Sequence, residues 1–129
     1  MIKMLKISGK RLREEKGASA VEFALILPVL TLLLLSIFQF GLAYNNYLAI
    51  THAAREGARM AAVGQFDESA VMAQAYPVSP TSVTIAYPNG ETHGEAVEVT
   101  VRYNLTIDLP MFGVQTIPLV SRARMRIEV

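Results

Sequence analysis

The chain changes hydrophobic period about halfway along, and the change divides it. From Phe23 through Thr51 no charged side chain occurs, and Phe23 to Phe40, FALILPVLTLLLLSIFQF, is its densest apolar stretch. About 20 predominantly apolar residues cross roughly 30 Å of hydrocarbon as a helix, so a membrane span over 18–43 is expected. Pro28 cannot donate its backbone hydrogen bond and crowds the Ala24 carbonyl, which predicts a bend of the kind that membrane helices tolerate. Leu48 to Val63 remains alanine-rich and helix-compatible up to Gly64, a residue suited to a helix C-cap. One helix of about 45 residues, roughly 67 Å at 1.5 Å per residue, is therefore expected to begin at Ala18 and continue beyond the membrane over 44–64.

After Gly64 the pattern becomes that of a small domain over 65–129. Asp67 is placed to cap a short helix through about Ala75, and Tyr76 to Pro80 breaks it. Val83 to Tyr87 reads as a strand leading to a turn at Pro88-Asn89-Gly90. A longer strand then sets Val97, Val99, Val101, Tyr103, Leu105 and Ile107 on one face, opposite Glu98, Thr100, Arg102, Asn104, Thr106 and Asp108. Pro110 to Gly113 predicts a second turn. Leu119 to Val129 then alternates Ala123, Met125, Ile127 and Val129 with Arg122, Arg124 and Arg126. Consecutive strands with short connections give an antiparallel meander whose apolar face needs a cover, and the outer half of the long helix supplies one. The expected fold class is α+β.

Charge gives the span a direction. Residues 1–17 hold Lys3, Lys6, Lys10, Arg11, Arg13 and Lys16 against Glu14 and Glu15, whereas the rest of the chain has no lysine and sets six arginines against nine acidic residues. Because no basic residue follows the span until Arg55, the positive-inside rule keeps the N-terminus in the cytoplasm and sends the C-terminal domain across. Tyr44 and Tyr47 suit the outer interface. At 129 residues, 52% of them hydrophobic, the chain has room for an anchor and one domain. The absence of cysteine excludes a disulfide framework and a thiol nucleophile.

The most informative segment is Lys16-Gly17-Ala18-Ser19-Ala20-Val21-Glu22-Phe23, where the basic tail ends in glycine and a carboxylate follows just inside the apolar run. An ionised side chain at mid-span costs on the order of 2.5–3.5 kcal/mol by insertion scales, and less near the interface, so Glu22 calls for a partner. Cleavage after Gly17 would supply one. The new ammonium group on Ala18 would lie four residues before Glu22, at the helical spacing for an ion pair within the chain or with a neighbouring subunit.

This pattern resembles a prepilin leader. GASAVEFALILPVLTLLLL followed by AAREGARMAAVG is similar to the TadE-like family of pseudopilins, or minor pilins, of tight-adherence (Tad/Flp) pilus systems, over Gly17 to about Gly64. The resemblance implies a pilin-like fold, removal of 1–17 by a membrane-embedded prepilin peptidase between Gly17 and Ala18, and a leader-recognition or assembly role for Glu22 and Phe23. It further implies as partners other pilin or pseudopilin subunits, the Tad-type inner-membrane assembly machinery and the lipid bilayer. The expected location is the cytoplasmic membrane, as a single-pass protein that can enter an extracellular pilus, with a part in pilus biogenesis, adhesion or secretion. Major pilins of these systems end soon after the hydrophobic helix, so the sizeable domain here favours a minor subunit.

The Ala53-Gly57-Ala61 and Ala54-Ala58-Ala62 rows allow close backbone approach, either to the chain's own sheet or to another subunit. Arg55, Glu56 and Arg59 lie beside them as a solvated charged face or as a partner contact, and with Gly57 they complete the candidate residues. His52 and Glu56 have the spacing of two zinc ligands but no third nearby, so no metal or other cofactor is expected. The arginines near the C-terminus lack the stacking aromatics and broad basic field of nucleic-acid readers, so no nucleic-acid partner is expected. There is no Ser-His-Asp arrangement with motif support, no Gly-rich phosphate loop and no recognisable carboxylate pair, so a non-enzyme is expected. The competing reading is an uncleaved signal anchor that carries an extracytoplasmic binding module.

Overall fold

In a computed structural model, described for residues 2–129 with side chains from Glu14 onward, the elements are α1 (Ile2–Ala62), α2 (Glu68–Gln74), β1 (Ser82–Ala86), β2 (Ala96–Leu109) and β3 (Gly113–Arg126). The fold class is α+β, as the sequence pattern predicts. The chain divides into two compact units, Met1–Gln39 and Phe40–Val129.

Within the first unit the chain is helical from Ile2, so helix also runs through the segment expected to be a leader. The side chains of Lys3, Lys6, Lys10, Arg11 and Arg13 lie outside the described residues. The most apolar window of the helix has a mean hydropathy of 2.5 and is 0% buried within the chain. The core helix of a soluble protein would be covered by other elements; this one is apolar and bare, as a lipid-facing span requires. Thr31 and Ser36 donate their hydroxyls to the carbonyls of Leu27 and Leu32, each at 2.8 Å, so neither hydroxyl needs water. The helix continues through Pro28.

The second unit is built on the remainder of α1. Ile50, Ala53, Ala54, Gly57, Ala58, Ala61 and Ala62 are buried at the three-and-four spacing of one helix face. Against that face lies a three-stranded antiparallel sheet in the order β1-β2-β3, with Val97, Val99 and Val101 of the central strand fully buried. Alternation places Val83 opposite Val101 and Ile85 opposite Val99 on the same side, while Arg102, Asn104, Thr106 and Asp108 point the other way. Glu98 and Arg124, directly opposed on the polar side, form an ion pair.

Helix α1 ends in a Schellman motif. Gly64 has φ 73, its amide reaches the Ala61 carbonyl, and the Gln65 amide reaches that of Met60. A further orphan carbonyl, that of Ala62, accepts from the amide of Glu128 at 2.8 Å, so the C-terminal segment closes the helix end. At the middle of the same interface, Ser121 donates to Thr51 Oγ1 at 3.0 Å.

Strand β3 differs from the expectation at both ends. It begins at Gly113 rather than Leu119, because Pro118 costs no ladder bond: Asn104, its partner in register, turns its own amide toward Thr81 on the β1 side. It stops at Arg126 rather than Val129: the Ile127 amide still bonds to Glu95, the next residue opposite it in register, but the Glu128 amide turns from the sheet to the carbonyl of Ala62. Beyond Arg102, β2 and β3 continue as a two-stranded ribbon that ends in a tight turn. That turn has Pro110 and Met111 at its centre, and the Phe112 amide bonds to the Leu109 carbonyl at 3.1 Å. Met111 has φ 75, where a side chain costs roughly 1–2 kcal/mol and glycine costs nothing.

Helix α2 starts on Asp67, whose carboxylate accepts from the amide and hydroxyl of Ser69. Those bonds hold the Asp67 pKa below its ordinary value. A depressed carboxylate stabilises the fold fully above its unfolded pKa and loses that contribution as pH falls through the folded one. Replacing Asp67 with alanine should therefore lower the melting temperature near neutral pH. The difference from wild type should shrink progressively as melts are taken at pH values below the ordinary carboxylate range.

Candidate assembly site

The residues from Lys16 to Phe23 form two exposed turns of α1 in the first unit. A Cβ built on Gly17 meets no atom within 4 Å, and the backbone there is ordinary right-handed helix. Glycine in a helix interior costs about 1 kcal/mol relative to alanine, and nothing in the fold around position 17 requires it.

Glu22 lies five residues further on, between Val21 and Phe23, both more than half exposed. Among the described residues its carboxylate makes no side-chain hydrogen bond and no ion pair. The position four residues earlier is Ala18, whose side chain offers nothing to a carboxylate. A charge in an apolar segment is tolerated when a cation or donor reaches it, and among the described residues none bonds to this carboxylate.

Arg55, Glu56, Gly57 and Arg59 belong to the second unit. Arg59 donates through Nε and Nη2 to the two carboxylate oxygens of Glu56 in a fork geometry. That bond lowers the Glu56 pKa and raises that of Arg59. The pair is open to solvent and screened, so its weight in stability is small. Arg55 is exposed beside it.

Gly57 faces inward. A Cβ at this position would stand 3.0 Å from both Val71 Cγ2 and Val99 Cγ1, so the missing side chain lets α1 settle between α2 and the central strand. Both small-residue rows are buried in this way. Of the two uses that the sequence leaves open for them, the structure places them on the chain's own sheet.

The sequence pattern did not single out the tip of the β2–β3 ribbon. Met111 is 97% exposed and Phe112 77% exposed, with Val114 beside them. A signal was present: the 13 residues from Leu109 to Ser121 include no charged side chain.

Residues 17–59 match the family model described as TadE-like protein, the family that the motif residues resemble. The matched segment begins on Gly17 and ends on Arg59. It therefore takes in all of the candidate residues and none of the sheet. No curated protein and no solved structure gives a significant match.

Proposed function

We propose that the protein is a minor pilin or pseudopilin of a Tad-type pilus, made with a leader that a prepilin peptidase removes after Gly17, and that it acts as a structural or assembly subunit rather than as a catalyst. The TadE-like match connects the chain with Tad pilus systems, and one bare apolar helix fits a single-pass membrane protein. The basic tail before the span and its absence after it favour an N-terminus in the cytoplasm and the second unit outside.

The observation that carries the proposal is the carboxylate of Glu22, exposed and unpartnered among the described residues, five residues after a glycine for which no described residue accounts. Cleavage converts the amide of Ala18 into an ammonium group within reach of Glu22, either in the same chain or in the next subunit. The same cut removes six cations that hold the precursor on the cytoplasmic face. A single hydrolysis thus frees the helix to move and creates the charge with which its carboxylate can pair. Other pilin subunits and the inner-membrane assembly machinery are the partners of this reading, with Arg55 and the Glu56–Arg59 pair available on the outward face of the helix.

A Glu22→Gln protein should still be cut, because its leader junction is intact, yet its recovery in sheared pili or in the assembly complex should fall several-fold. Cleavage and recovery are read on the same samples, by mass and by immunoblot. Unchanged recovery with normal cutting would remove the role assigned to the carboxylate.

A further inference from the structure

Strand β3 forms one side of the sheet, and its far edge pairs with no other strand among the described residues. Which groups face that edge follows from the ladder. The Thr81 amide bonds to the Arg102 carbonyl, so the even-numbered residues of β2 turn their backbone groups toward β1 and the odd-numbered ones toward β3. In register, Val101, Tyr103 and Leu105 meet Ser121, Leu119 and Ile117, so the odd positions of β3 are engaged and the even ones face outward. Val120, Arg122, Arg124 and Arg126 therefore each present one backbone donor and one acceptor along an open edge. Pro118, which has no amide to offer, ends that run.

The side chains beside this edge carry one sign of charge. On the polar side of the sheet Arg122, Arg124 and Arg126 follow one another at two-residue spacing, with Arg102 of β2 diagonal to Arg122. All four are exposed. The carboxylate among them, Glu98, is taken by Arg124, and the side chains of Arg102, Arg122 and Arg126 form no ion pair among the described residues. On the other side of the same stretch lie Ala123 and the exposed Met125. A second copy of β3 is a poor occupant. Laid antiparallel on this stretch it would set arginine against arginine, and like charges directly opposed destabilise a ladder. Such an edge refuses its own copies and selects a strand of opposite charge.

We propose that the edge from Val120 to Arg126 takes an extended segment of another protein as a fourth, antiparallel strand, a segment with carboxylates at alternate positions and apolar residues between them. Main-chain bonds supply the affinity and the alternating side chains the specificity. The carboxylates meet Arg122, Arg124 and Arg126 across the new pair, and the apolar side chains lie beside Ala123 and Met125. Residues directly opposite one another at this edge both point their backbone groups into the ladder, so the partner's acidic residues are also those whose amides bond to β3. A nucleic acid or polyphosphate would meet the same arginines but leave the outward carbonyls without donors, which favours a polypeptide. The edge belongs to the second unit alone, so its use depends on neither the span nor the leader.

The probe is a fluorescein-labelled TEVEVEVT peptide with blocked ends, added to the full-length protein in detergent and followed by anisotropy, with hydrogen exchange of residues 119–126 read on the same samples. Saturable binding is expected, with the amides of Arg122, Arg124 and Arg126 exchanging several-fold more slowly in the complex. Methylating the peptide's glutamate amides should weaken binding about tenfold or more, because those amides carry the new bonds, whereas methylating its valine amides should change it less than about twofold. Arg122→Glu combined with Arg126→Glu should abolish binding of TEVEVEVT and create binding of TKVEVKVT, whose lysines replace the glutamates opposite the two changed positions. An unfolded protein could not show that gain. Absence of TEVEVEVT binding overturns the proposal. Equal effects of the two methylations would mean that charge alone holds the peptide, and inorganic polyphosphate bound as tightly as the peptide would make the face a general anion site; either result also overturns it. A double variant that melts like wild type, keeps TEVEVEVT and refuses TKVEVKVT would contradict the role given to the arginines.

Discussion

A chain carrying Gly17→Phe should keep its full length when co-expressed with a cognate prepilin peptidase that shortens the wild-type protein by residues 1–17. A side chain at position 17 meets nothing in the fold, so the helix and the second unit should be unaffected. Its bulk would be felt only by an enzyme that has to seat the 17–18 peptide bond. Displacing a scissile bond by about 1 Å costs on the order of 100-fold in rate, so cleavage should fall by at least that much. Intact mass and N-terminal sequence give the answer directly. The uncut protein keeps its six cations at the cytoplasmic face and its Ala18 nitrogen as an amide, so it should also fail to enter pili. Efficient cutting of Gly17→Phe would mean that the glycine is not read by the peptidase.

Gly57→Leu should unfold the second unit while leaving the first helical. Even the Cβ of alanine would stand 3.0 Å from Val71 Cγ2 and Val99 Cγ1, which face each other across the glycine. Gly57→Ala gains about 1 kcal/mol of helix propensity but overpacks two β-branched neighbours at about 1–3 kcal/mol, a small net loss. Leucine adds three further carbons at the same point. The penalty should then exceed about 3 kcal/mol, a large part of the roughly 5–15 kcal/mol that a domain has in total. Pulse proteolysis of the full chain in detergent should show the sheet becoming cleavable while the apolar helix stays protected. A Gly57→Leu protein that resists protease like wild type would contradict the docking of α1 between α2 and β2. Arg59→Ala is the useful contrast, since Arg59 is exposed and its pair with the half-exposed Glu56 is screened by solvent, so the fold should tolerate the change.

Much of the architecture was legible from periodicity. An uncharged apolar run, a three-and-four row of alanines and a period-two strand translate directly into a bare helix, a buried helix face and a central strand. Gly64 and Asp67 also announced their roles, because C-caps and N-caps use few residue types. Less legible was anything decided by a partner across space. The start of β3 ahead of Leu119 was hidden because a single strand does not show which positions need an amide for the ladder; opposite Pro118, the Asn104 amide turns toward Thr81, so none is needed there. Ile127 to Val129 alternate like strand residues, yet the Glu128 amide is drawn off by the Ala62 carbonyl, an acceptor placed there only once the helix end is docked. The small-residue rows allowed close approach without naming the surface approached.

The candidate site is legible for the opposite reason. Gly17 and Glu22 stand out because no described residue packs on the one or bonds to the other, and a residue pattern that contradicts its local setting is visible from sequence alone. Fold and function therefore occupy different stretches: the sheet explains Gly57 and the alanines, while the match over 17–59 continues back through a segment that has no packing of its own. The ribbon tip belongs with the first kind of surprise, since its exposure became apparent only when β1 proved too short to cover it.

The most direct test is the mass and N-terminal sequence of the wild-type protein isolated from membranes that contain a cognate prepilin peptidase. Cleavage between Gly17 and Ala18 predicts a mature chain that begins Ala-Ser-Ala-Val-Glu-Phe, with the basic tail gone. A protein that still begins at Met1, in membranes where an authentic prepilin is cut to completion, would contradict the leader and, with it, the subunit role assigned to Glu22.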